Sequence, residues 1–192
     1  MFPEEKVIKG CQAGKREYQT QLYRRFAPKM LGVCLRYTPD RPSAEDILQE
    51  GFVKVFSSID RYRGDGSFEG WIRRIMVNTA LTWFKKQRKQ GFTEDIDALE
   101  DKLPQEEDEQ GEENGIESLS PEDVMALIQR LPDGYRMVLN LYVFEGASHK
   151  EIAESLDISE NTSKSQLSKA RRFLRKLVEN QEKEKGYIPI LR

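Results

Sequence analysis

The sequence predicts an all-α fold: an N-terminal helical bundle and a C-terminal helix-turn-helix domain, joined by a flexible acidic linker. Three observations predict it. Few segments alternate with period two, whereas apolar residues recur at helical spacing along most of the chain. Helix-start signatures stand at Ser43, Ser120 and Ser148. Charge is partitioned: residues 1–90 carry 18 Lys/Arg and 10 Asp/Glu, residues 91–123 carry 1 and 14, and residues 124–192 carry 12 and 9. The net charge of −2 conceals two basic blocks around an acidic one. That asymmetry suits two domains facing a polyanion.

The first domain is expected over residues 1–90, with helices near 4–12, 15–37, 43–59 and 67–89. Pro28 should kink or split the second helix, because proline lacks the N–H that the helix interior needs. Ser43, after Pro42 and before Asp46, reads as a cap for the third. Residues 60–67, DRYRGDGS, read as a loop on turn chemistry. The segment 91–119 includes QEEDEQGEENG, too poor in apolar groups to offset its ordering entropy. At Ser120-Pro121-Glu122-Asp123 order resumes, with a serine cap, a proline at the first helical position and acids in the first turn. Helices near 121–131 and 133–145 follow in the second domain, 120–180, and residues 181–192 form a tail.

The segment from Ser148 to Leu177 carries the most information. Ser148 and Glu151 make a capping box. Ile152, Ala153 and Leu156 give the short helix one apolar face, and Asp157-Ile158-Ser159 makes the turn, with Ser159 able to cap the next helix. In that second helix Leu167, Ala170, Leu174, Leu177 and Val178 face a core, while the other side carries Lys164, Ser165, Ser168, Lys169, Arg171, Arg172 and Arg175. A helix-turn-helix that lays its second helix in a DNA major groove has this pattern. An ordinary helical hairpin with a solvated basic face is the alternative.

Other function classes fit poorly. Cys11 and Cys34 stand apart, His149 is the only histidine, and no zinc site of ordinary spacing can be assembled; no metal or cofactor is expected. No apolar run approaches a membrane span and the N-terminus shows no apolar signal core, so a cytoplasmic protein is expected. Asp46, Gln49 and Glu50 share one helix face, with Ile47, Val55 and Ile59 opposite. Paired carboxylates invite a catalytic reading, but no nucleophile and base accompany them, so a solvated or protein-docking face is preferred and no catalytic residue is assigned. Between Arg61 and Lys89, aromatics interleave with cations, which suits single-stranded nucleic acid. Phe68, Trp71, Ile72 and Ile75 are also spaced like a buried face.

The order AEDILQEGFVKVF, DRYRGDGSFEGWIRRIMVNTA, acidic linker, and LPDGYRMVLNLYVFEGASHKEIAESLDISENTSKSQLSKARRFL resembles the bacterial sigma-70 family, in its short extracytoplasmic-function group. The resemblance covers roughly residues 15–90 and 120–178. It implies a region 2-like first domain, a region 4-like second domain, and a protein that binds core RNA polymerase, recognises promoters and helps to melt them. By the same resemblance Asp46, Gln49 and Glu50 dock on polymerase. Arg63, Gly64, Asp65, Gly66, Ser67 and Phe68 form the loop that captures a flipped base of the minus-ten element, with Arg73, Arg74 and Asn78 near that DNA. Lys164, Ser165, Ser168 and Lys169 face bases of the minus-thirty-five element, and Arg171 and Arg172 face phosphates. Core RNA polymerase, promoter DNA and an anti-sigma factor are the implied partners. One departure stands out: Asn161-Thr162-Ser163 occupies the place where relatives often have Gly-Thr-Val. A stand-alone helix-turn-helix regulator is the alternative function.

Overall fold

The computed structural model describes residues 3–91 and 120–186. The acidic segment beyond residue 91 and tail residues 187–192 lie outside the described residues. The described residues hold eight α-helices, one turn of 3-10 helix and no strand. The chain divides into two compact units, Met1–Lys86 and Gln87–Arg192.

In the first unit, α1 (Glu4–Gln12) and α2 (Arg16–Tyr37) are followed by α3 (Arg41–Ser58), the 3-10 turn Ile59–Arg61 and α4 (Phe68–Lys89). Helix α2 packs on both α1 and α3. Its buried stripe, Leu22, Phe26, Met30, Val33 and Tyr37, repeats every three to four residues. Pro28 neither splits nor ends this helix, which runs unbroken from Arg16 to Tyr37. A proline in a helix interior costs about 3 kcal/mol. Each large apolar side chain buried before and after it contributes roughly 1.5–3 kcal/mol, so packing on both sides outweighs the lost bond.

Helix α3 begins two residues before the expected site. Its cap is Asp40, whose Oδ1 accepts from the Ser43 amide at 2.8 Å. Proline at 42 offers no N–H, so the Ser43 amide is the donor that most needs an acceptor. Ser43 is therefore the capped residue, not the cap. Gly51 leaves room on α3 for the Met76 side chain of α4, where any Cβ would collide. Both cysteines are free and buried, and burial pushes their thiols up, to about 11 for Cys11 and about 12 for Cys34. They stay protonated and inert at neutral pH.

The second unit opens on α5 (Pro121–Gln129), capped by Ser120, whose Oγ accepts from the Asp123 amide at 3.1 Å while Asp123 Oδ2 accepts from the Ser120 amide at 3.3 Å. Helices α6 (Asp133–Val143), α7 (His149–Leu156) and α8 (Glu160–Gly186) complete it. Helix α8 packs against each of the other three. It continues to Gly186, into the segment expected as a tail, through the helix-favouring run Gln-Glu-Lys-Glu-Lys.

Arg136 on α6 is 1% exposed. Its Nη1 donates to the carbonyls of Gln129 at 3.1 Å and Leu131 at 2.9 Å, and its Nη2 pairs with Asp133. The guanidinium thus ties off the end of α5 from inside the next helix. Replacing Arg136 with Met should strand those carbonyls and Asp133. We expect the urea midpoint of this unit to fall, by about 3 kcal/mol of unfolding free energy, the low end for breaking a buried pair. An unchanged midpoint would show that the carbonyls find water instead.

Candidate nucleic-acid and docking interfaces

Asp46, Gln49 and Glu50 are all exposed on α3. Opposite them Ile47, Val55 and Ile59 are buried at 2% exposure or less, so one face is anchored and the other presented. Val53 lies three residues past Glu50 on the presented face and is 67% exposed. No sequence reading singled it out, although its spacing from Glu50 was visible. Glu50 pairs with Lys54 at 2.6 Å, and Lys54 Nζ also reaches Thr79 Oγ1 of α4 at 3.3 Å. The patch is acidic with an apolar member, a composition suited to a protein partner rather than to DNA.

The loop between the 3-10 turn and α4 is held at both ends. Gly64 and Gly66 take φ of +85° and +94°, a region that side chains other than hydrogen rarely adopt. The Tyr62 hydroxyl donates to the Gly66 carbonyl at 2.9 Å. Ser67 Oγ accepts from the Gly70 amide at 3.1 Å, so this hydroxyl starts α4 as well as bordering the loop. Arg63, Gly64, Asp65, Gly66 and Ser67 are all exposed.

Phe68 is not. It is 1% exposed, stacked on Trp71 at 5.6 Å and packed edge-on against Tyr62 at 4.9 Å and Phe26 at 5.7 Å. Phe68, expected with the loop residues on the DNA side, lies instead as the floor beneath the loop. An aromatic there removes more apolar area by joining the core than by waiting for a base. Trp71 and Ile75, two other members of the predicted buried face, are only half-buried, whereas Ile72 is fully buried. On α4, Arg74 and Asn78 are exposed one turn apart on a common face. Arg73 lies about 100° round the helix from Arg74, by helix geometry. It is half-buried, so the structure brings two of the three expected residues together.

In the second unit, Ser148 and Glu151 close the predicted capping box: Glu151 Oε2 accepts from the Ser148 amide at 2.8 Å, and Ser148 Oγ from the Glu151 amide at 3.3 Å. The Ser148 amide and hydroxyl hold the Glu151 carboxyl below its ordinary range. Asp157 ends α7 in the left-handed region, at φ 58°, and turns the chain. Ser159 Oγ then accepts from the Thr162 amide at 2.9 Å and starts α8.

The buried side of α8 holds Ser163, Gln166, Leu167, Ala170, Leu177 and Val178. Opposite them Lys164, Ser165, Ser168 and Arg171 are exposed, with Asn161 and Arg175 extending the same stripe. Lys169 and Arg172 are half-buried at its flanks, and Arg172 Nε lies in the interior. Arg171 and Arg175 are thus better placed than Arg172 for an outside anion. Ser163 is 0% exposed, and its Oγ lies 2.9 Å from Nδ1 of His149 on α7. Among the described residues no group of three His, Cys, Asp or Glu gathers as a metal site, and no helix is long and apolar enough to cross a membrane.

Two segments match known families: Sigma-70 region 2 over residues 22–90, and Sigma-70, region 4 over residues 122–174. The ECF RNA polymerase sigma-E factor of Escherichia coli (strain K12) is 29% identical over 180 residues, covering 88% of this chain and 90% of that protein. The RNA polymerase sigma-H factor of Pseudomonas aeruginosa is 26% identical over 181 residues, covering 92% and 94%. Among solved structures, the sigma factor RpoE from Bartonella quintana, in complex with the anti-sigma factor NepR, aligns at TM-score 0.49 and 20% identity, over 83% of this chain and 96% of that one.

Proposed function

The chain belongs to the sigma-70 family, in its extracytoplasmic-function group, and from that premise we propose that it binds core RNA polymerase, directs it to promoters and helps to melt them. One observation carries the reading. The same chain presents a capped basic helix suited to duplex DNA and, in a separate unit, a glycine-kinked loop over an aromatic floor suited to an unpaired base. A stand-alone helix-turn-helix regulator needs only the first.

In this reading the first domain, 1–90, docks on polymerase through Asp46, Gln49 and Glu50 and handles the minus-ten element. Arg63 to Ser67 capture a flipped base, and Arg74 and Asn78 lie along the DNA. Phe68 positions the loop from below. The second domain, 120–180, reads the minus-thirty-five element through Lys164, Ser165 and Ser168, with Arg171 as a phosphate anchor. The protein works in the cytoplasm, carries out no chemistry of its own, and has an anti-sigma protein as a further partner. Run-off transcription from a cognate promoter, with purified core enzyme, tests the whole. A chain that binds duplex DNA but yields no run-off product with core enzyme is a regulator instead.

The residues of α8 divide by expected behaviour. Lys164→Ala should cost about 1–3 kcal/mol and relax preference at particular upstream positions. Arg171→Ala should weaken all sequences alike and lower the salt slope by about one. Selection from a randomised upstream element, read by sequencing at two salt concentrations, separates them. Unaltered base preference in Lys164→Ala would remove its reading role.

A further inference from the structure

His149 links all three helices around the turn. It is the first residue of α7; its Nδ1 meets the buried Ser163 hydroxyl of α8 at 2.9 Å. Its ring stacks on Tyr142 of α6, with centroids 4.9 Å apart and planes 25° from parallel. The Arg171 guanidinium, two turns beyond Ser163 on α8, lies over that same Tyr142 ring, 5.8 Å from its centroid. The contacts therefore leave α8 at Ser163, cross α7 and α6, and return to α8 at Arg171. Among the described residues no carboxylate pairs with Arg171, so its charge stays available to an outside anion.

We propose that Tyr142 and His149 form a platform that positions Arg171 for the DNA backbone, and that Ser163 anchors this platform. The inference rests on the reading of α8 as the duplex-reading helix. An arginine has many rotamers, and immobilising such a side chain at an interface opposes binding. A ring already under the guanidinium meets part of that ordering before DNA arrives, and the ring face attracts the cation. The stack in turn holds the ring, and the Ser163 hydroxyl holds the stack.

A double-mutant cycle on the holoenzyme tests this, reading affinity for a duplex carrying the upstream element by fluorescence anisotropy. His149→Ala and Tyr142→Ala should each weaken binding about two- to fivefold, the range of a solvent-exposed cation–π contact. Neither should weaken it further once Arg171 is alanine. Tyr142→Phe keeps the ring and should restore wild-type affinity, which a role for the hydroxyl would not allow. Losses from His149→Ala and Tyr142→Ala that persist undiminished in the Arg171→Ala background would overturn the platform. If Arg171→Ala leaves affinity unchanged while Lys164→Ala weakens it, the platform is overturned; if neither weakens it, the assignment of α8 to DNA falls instead. Thermal denaturation of each variant monitors folding; Tyr142 is 38% exposed, so its truncation leaves the core intact.

Discussion

Reversing Asp46 and Glu50 together to lysine is expected to weaken binding to core polymerase by on the order of a hundredfold, because loss of a buried charged partner at an interface costs roughly 2–5 kcal/mol. Promoter-dependent transcription at limiting core enzyme should fall with it. The fold should not follow. Both side chains are exposed, and the opposite face of α3 keeps its buried Ile47 and Val55. Glu50→Lys also replaces the exposed Glu50–Lys54 pair, 2.6 Å in length, with two like charges one turn apart. That exchange costs only a few tenths of a kcal/mol at a solvated helix surface. A large loss of binding at unchanged helical content is thus attributable to the interface. Co-purification of the double reversal with core enzyme at wild-type yield would remove the docking assignment.

The second large effect is expected at the loop. Gly64→Ala, Asp65→Ala and Gly66→Ala, combined, should slow opening of duplex promoters by roughly ten- to a hundredfold, since a flipped base must be held against a few kcal/mol of lost stacking and pairing. Two alanines at positive φ each cost about 1–2 kcal/mol and drive the backbone away from its present course. A Cβ at either glycine meets no neighbouring atom within 4 Å, so the strain is conformational and local to the loop. Ser67 is left unchanged because its hydroxyl also starts α4. A template with a pre-melted bubble should recover part of the loss, because the opening step is already made. Affinity for core enzyme and for the upstream element should be unaffected. Permanganate reactivity of unpaired thymines follows the opening directly. Wild-type opening by the triple variant would show that the loop does not capture the base.

What could be read from sequence was what local chemistry controls. Ser120, Ser148 and Ser159 each stand within three residues of the amide they cap, so no distant part of the chain was needed to place α5, α7 and α8. The periodic stripe of α8 was legible for the same reason, and it separated Lys164, Ser168 and Arg171 from the core. Local signals misled at α3 and at Pro28. Aspartate and serine are both good caps, and the choice of Asp40 depended on which amide was left unpaired. The survival of α2 through Pro28 depended on burial before and after it, which no local rule contains.

The sequence by itself determined an all-α chain, the positions of its caps and turns, and the family motifs in their order. Only the tertiary structure decided which members of those motifs are available. Phe68 belongs to the loop motif in sequence but lies beneath it in space, because Phe26 of α2 and Tyr62 before the loop pack on it beside Trp71 of its own helix. Arg172 and Arg171 are neighbours in sequence, yet one has its Nε in the interior and the other rests on Tyr142. His149 and Ser163, fourteen residues apart, become partners only when α7 folds against α8. Caps and periodicity are set by neighbours along the chain; exposure is set by what packs above a residue, and packing partners lie far away in sequence.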